Sequence, residues 1–158
     1  MYLHTGGRSP EEVGREIASA VQGEVARVRD EVLVRRPMYG NPHGLIVVGI
    51  ERSIFYENPP DPAHPSLLDL YDISCDIRCT HEPESFQQAE ALEFFNVVTS
   101  KLRYPVVLMR GVEWLVAAWS PVLGRTDFPP RTSPDEDDCA LWQPYADPAA
   151  ISEAAKHL

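Results

Sequence analysis

Tyr71-Asp72-Ile73-Ser74-Cys75-Asp76-Ile77-Arg78-Cys79 is the stretch whose reading decides the fold. Tyr71, Ile73, Cys75, Ile77 and Cys79 alternate with Asp72, Ser74, Asp76 and Arg78, the period of a strand with one buried face and one wet face. Such one-sided strands belong to antiparallel sheets. The elements on either side must then supply the cover for the apolar face.

Upstream, Leu45 to Ile50 is a continuous apolar run rich in β-branched residues, which predicts a buried strand. Ser53 to Tyr56 either continue that strand past Gly49 or fold back as a short hairpin. Between the two strands, residues 58–65 carry four prolines and read as a loop. Further upstream, Ser9-Pro10-Glu11-Glu12 combines a serine N-cap, proline at the first helical position and glutamate at the third. Val13, Ile17, Val21, Val25 and Val28 extend from it at helical spacing. The expected helix ends between Asp30 and Arg36, before Pro37.

Downstream, His81-Glu82-Pro83-Glu84 opens a second helix, with Phe86, Ala89, Leu92, Phe95, Val98 and Leu102 on its buried side, broadened by Phe94 and Val97. Tyr104-Pro105 ends it. Val106 to Met109, Arg110-Gly111 and Val112 to Trp119 read as a strand, a turn and an antiparallel return, with a buried helix as the alternative for 112–119. Residues 121–146 hold five prolines and the run Asp135-Glu136-Asp137-Asp138, which predicts an irregular acidic loop; a short helix over 147–157 follows. The expectation is a single α+β domain over 1–158: an antiparallel sheet of four to five strands, with a central helix and an N-terminal helix packed on one face.

The charge is distributed unevenly. Residues 1–52 balance seven Lys/Arg against seven Asp/Glu, whereas 53–158 set seven basic residues against seventeen acidic ones, so this part carries the formal net charge of −10. That balance disfavours nucleic acid and anionic lipid and favours a cationic partner. No stretch approaches the ~18–20 apolar residues of a membrane span, and the first residues lack a secretory pattern. Three cysteines, an odd number, do not form a disulfide framework. A reduced, cytoplasmic setting is the corresponding expectation.

Candidate chemistry is sparse. Cys75 and Cys79 lie roughly 13 Å apart along a strand, too far to bridge or to chelate one ion together, so neither a metal nor a cofactor is expected. Cys79, His81 and Glu82 form the one cluster resembling a catalytic pair, which would suit a small hydrolase. Carboxylates interleaved with aromatic residues suit binding instead, since charge steers a cationic protein and a ring anchors it. The sequence therefore points to a small acidic binding protein, monomer or homodimer. The expected type is an inhibitor or immunity protein that masks a basic surface of a toxin or enzyme through Asp72, Ser74, Asp76, Asp135, Glu136, Asp137, Asp138 and Trp142. A secretion or assembly chaperone, the small hydrolase and a virion or structural subunit are the alternatives.

Overall fold

Among the described residues, eight strands build one fully antiparallel sheet in the order β2-β3-β4-β5-β1-β6-β7-β8. They are β1 (Tyr2–Leu3), β2 (Glu24–Val28), β3 (Glu31–Pro37), β4 (Leu45–Arg52), β5 (Ile73–Cys79), β6 (Val106–Arg110), β7 (Trp114–Ser120) and β8 (Gly124–Thr132). The helices lying wholly within the described residues are α1 (Pro10–Val21), α2 (Glu84–Lys101) and the one-turn α3 (Cys139–Trp142). This computed structural model describes residues 1–56, 63–80 and 84–147, together with 151, 153 and 156.

The mixed helix-and-sheet class and the antiparallel sheet are as expected; the strand count of four to five is not. The extra strands come from three places. The first is the stretch assigned to the far end of the N-terminal helix. The Ser9 capping box forms, with Ser9 and Glu12 bonding each other's backbone, but α1 stops at Val21. Gln22 takes the left-handed conformation that closes a helix, and Gly23 follows, donating to Ala18 O. A Cβ on Gly23 would meet Arg35 O at 2.8 Å, so only glycine lets the chain turn back this closely onto β3. Val25 and Val28 lie on edge strand β2, both exposed, not on a helical stripe.

The second is the N-terminus itself. Tyr2 and Leu3 form a two-residue strand at the centre of the sheet, Tyr2 opposite both Ser74 and Val107. The third is the proline-rich segment, which is structured. β8 pairs with β7 across an irregularity between Asp127 and Thr132 that holds Pro129 and Pro130. A 3₁₀ turn (Glu136–Asp138), α3 and a second 3₁₀ turn (Gln143–Ala146) follow. The 106–119 hairpin is a strand pair, its turn longer than Arg110-Gly111 alone. The helix expected over 147–157 lies mostly outside the described residues, although Ile151 is helical and buried.

One face of the sheet is covered by α1 and α2. Val13, Ile17 and Val21 pack with Phe94, Phe95 and Val98 over Val32, Val34, Ile46, Val48, Ile50 and Cys75. The inward stripe of α2 is rotated from the expected one: Phe86 and Ala89 are exposed, and Glu90 is buried. Glu90 accepts from the backbone N–H groups of Tyr39 and Gly40, both at 2.6 Å, and so ties the β3–β4 loop to α2. Among the described residues, the opposite face is covered on one side alone. There Leu67, Leu68, Tyr71, Trp142 and Tyr145 pack on Tyr2, Val107, Met109, Leu115 and Ala118.

Candidate functional site

Because cover on this second face stops near β1, the half built from β2, β3, β4 and β5 has no covering helix among the described residues. Register places its side chains in rows. Glu24, Arg35, Val47 and Arg78 form one row; Ala26, Leu33, Gly49 and Asp76 form the next. Val28 opposite Glu31, and Glu51 opposite Ser74, continue toward β1. Arg35 and Arg78 share the first row, and Glu31, Glu51 and Asp76 lie beyond it, with the Arg78 guanidinium reaching across to Asp76. Val28 is 51% exposed, and Leu33 and Val47 are half-buried. A wet sheet face would ordinarily carry polar side chains at such positions.

Asp76 and Glu51 also line a cleft of about 410 Å³, together with Tyr2, Phe55, Ile77, Ala91, Leu108 and Met109. Met1 lies in the lining too: its amine donates to Cys75 O at 2.9 Å and its carbonyl accepts from Cys75 N at 2.7 Å. Burial lowers the pKa of that amine, and burial raises that of the Tyr2 hydroxyl. Arg78 pairs with Asp76, whose hydrogen bond and charge raise the guanidinium pKa. Both groups are exposed, so the pair contributes little to stability.

The structure redistributes the residues expected to bind a partner. Asp72 is 2% exposed and does not lie on the wet strand face. It precedes β5 and accepts from Thr5 N (2.6 Å), Thr5 Oγ1 (2.7 Å) and Gly7 N (2.8 Å), with Arg52 3.5 Å away. Alternation carried one residue too far placed it outside. Trp142 is 1% exposed, donates through Nε1 to Asp135 O and belongs to the second core. Asp138 accepts from Ser133 N and Asp135 from the Ser133 hydroxyl; they shape the turn that leads into α3. Glu136 and Asp137 are exposed on that turn. Ser74 and Asp76 do share the second face and both line the cleft described above.

Sequence reasoning missed Glu31, Glu51, Arg35 and Val47 as neighbours of Asp76. The alternation of Glu31 to Arg35 was the available signal, hidden by an equally good fit to a helix. No disulfide joins Cys75, Cys79 and Cys139, and among the described residues no group of three His, Cys, Asp or Glu is placed to hold a metal. His81 and Glu82 of the hydrolase reading lie outside the described residues. No described helix is long and apolar enough to cross a membrane. Comparison with protein-family models, curated proteins and solved structures gives no match.

Proposed function

We propose that this chain is a small, acidic, non-enzymatic binding protein of inhibitor or immunity type, which masks a basic surface of a toxin or enzyme with the bare half of its sheet. One observation carries the reading: Glu31, Glu51 and Asp76 gather beside Val28, Leu33 and Val47 on a sheet face with no helix over it among the described residues. Apolar area inside a charged rim is the anatomy of a protein interface, and the carboxylates select a cationic counterpart. The surplus charge of residues 53–158, including Glu136 and Asp137, adds long-range steering rather than contact.

The test is capture of partners from the native host, then association kinetics of a captured protein with the wild type and with Glu31→Lys/Glu51→Lys/Asp76→Lys. A basic partner is expected, whose association slows at least about tenfold on charge reversal and falls with added salt. An acidic partner, or kinetics indifferent to both salt and charge reversal, refutes the reading. A stable homodimer that holds unfolded clients on the same face would instead identify a chaperone.

A further inference from the structure

Among the described residues the sheet ends on β2 at one border and on β8 at the other. The two borders are built differently. β8 carries Pro129 and Pro130 within an irregular pairing to β7, devices that blunt an edge against further strands. β2 has neither proline nor lysine, pairs with β3 without any shift of register, and exposes Val25 and Val28. The hairpin fixes which of its main-chain groups point outward. Only Arg29 and Asp30 separate the paired residues Val28 and Glu31, and Arg29 takes the positive φ of 56° that a two-residue turn demands. Val28 and Glu31 therefore exchange both of their hydrogen bonds, as do Ala26 with Leu33 and Glu24 with Arg35. The N–H and C=O groups of Val25 and Arg27 face away from the sheet.

We propose that a second copy of this chain pairs with that border, β2 against β2, antiparallel about a two-fold axis between the two Ala26 residues. Val25 of each copy then exchanges main-chain bonds with Arg27 of the other, and Glu24 lies opposite Val28. This register uses all five residues and sets no charge against its like; a shift of two residues either brings Arg27 opposite Arg27 or shortens the overlap. The Arg27 guanidinium is drawn to Glu11 of α1, which leaves its aliphatic stem to cover the exposed Val25 of the other copy. Residues 1–52, which include β2, balance seven basic against seven acidic side chains, so two copies meet here without the repulsion of the acidic remainder. With β8 blunted, pairing stops at a closed dimer instead of growing into a fibre. The dimer also joins the two bare half-faces into one surface, four strands from each copy. It holds whether or not that surface takes a basic partner.

The experiment follows the oligomeric state of the full chain by sedimentation over about 1 μM to 1 mM. Five residues a side fall short of the roughly 20–30 of a standard interface, so a reversible, concentration-dependent dimer is expected. Val25→Lys places a guard on the edge, and Arg27→Pro removes an outward N–H while sparing the bonds to β3. Each should weaken the dimer at least about tenfold, because the symmetry counts every change twice. Urea unfolding checks that both variants fold. Ala26→Cys should cross-link to itself under mild oxidation, since the axis brings the two Cα atoms to about 4.5 Å; Val28→Cys, two residues off the axis, should not. A monomer at every concentration overturns the proposal, as does a dimer indifferent to both edge variants. Amide exchange at Val25 and Arg27 should slow as concentration rises; protection already complete in dilute solution would mean that the chain covers this edge itself, and the proposal would fall. Oligomers that keep growing would refute the closed dimer.

Discussion

Replacing Asp72 by alanine tests how the N-terminal strand is held at the centre of the sheet. The carboxylate is buried and accepts three hydrogen bonds from Thr5 and Gly7, the residues that follow β1. Bonds to a charged acceptor contribute roughly 1.5–3 kcal/mol each but do not add, and breaking a buried charged network costs about 3–5 kcal/mol. Arg52 is half-exposed, so its share is small. The expected loss for Asp72→Ala is therefore about 3–5 kcal/mol, a large part of the ~5–15 kcal/mol by which domains are stable. Thermal midpoints should fall by roughly 6–20 °C in a domain of this size. Urea unfolding measures the loss, and a cycle with Thr5→Ala should return a coupling of about 0.5–3 kcal/mol. A loss under about 1 kcal/mol with no coupling to Thr5 would mean that β1 is held by its ladder alone, and the reasoning would be wrong.

Three further outcomes follow from single sites. Gly14→Ala gains about 1 kcal/mol of helix propensity, but its Cβ would lie 2.7 Å from Val32 Cγ1, a short side chain fixed in the core. Overpacking of about 1–3 kcal/mol should win, and a stabilised variant by urea titration would show that α1 can shift on the sheet. Burial raises the Cys75 thiol from its ordinary 9.0 to about 12. The folded state then holds a proton that the unfolded state loses, so this contribution is intact below pH 9.0 and declines as pH rises toward 12, by about 1.4 kcal/mol at pH 10. Cys75→Ala should flatten that alkaline slope, and alkylation of the native protein should label Cys139 before Cys75; the reverse order would contradict the burial. Glu136→Gln/Asp137→Asn should change stability by less than about 0.5 kcal/mol, as both side chains are exposed; a larger loss by urea titration would give the strip a structural role.

Legibility in the sequence tracked how local each determinant is. The β5 alternation and the Ser9 capping box act within a few residues, and both appear in the structure where their chemistry places them. Val25 and Val28 satisfy helical spacing and strand alternation equally, and only the Gln22-Gly23 stop separates the two. β1 could not be read, because two residues have no period and their partners Ser74 and Val107 are distant in the chain. Trp142 looks like a surface anchor in a proline-rich acidic segment until Tyr71, Leu67 and Leu115 are seen beneath it. The bare half-face was invisible for the same reason: it is defined by where a distant segment ceases to cover the sheet.

The placement of Tyr2 and Leu3 between Ser74 and Val107 has a consequence for biosynthesis. This pair leaves the ribosome well before either neighbour, yet it occupies the middle position. Until β6 has been translated, β2 to β5 can form a meander whose border is β5, with β1 on it at two residues, open to any stray chain. The step that removes this hazard is closure of the longest loops in the molecule, which is intrinsically slow. Dependence on chaperones during synthesis should therefore peak before β6 emerges and fall once the two halves are stitched together.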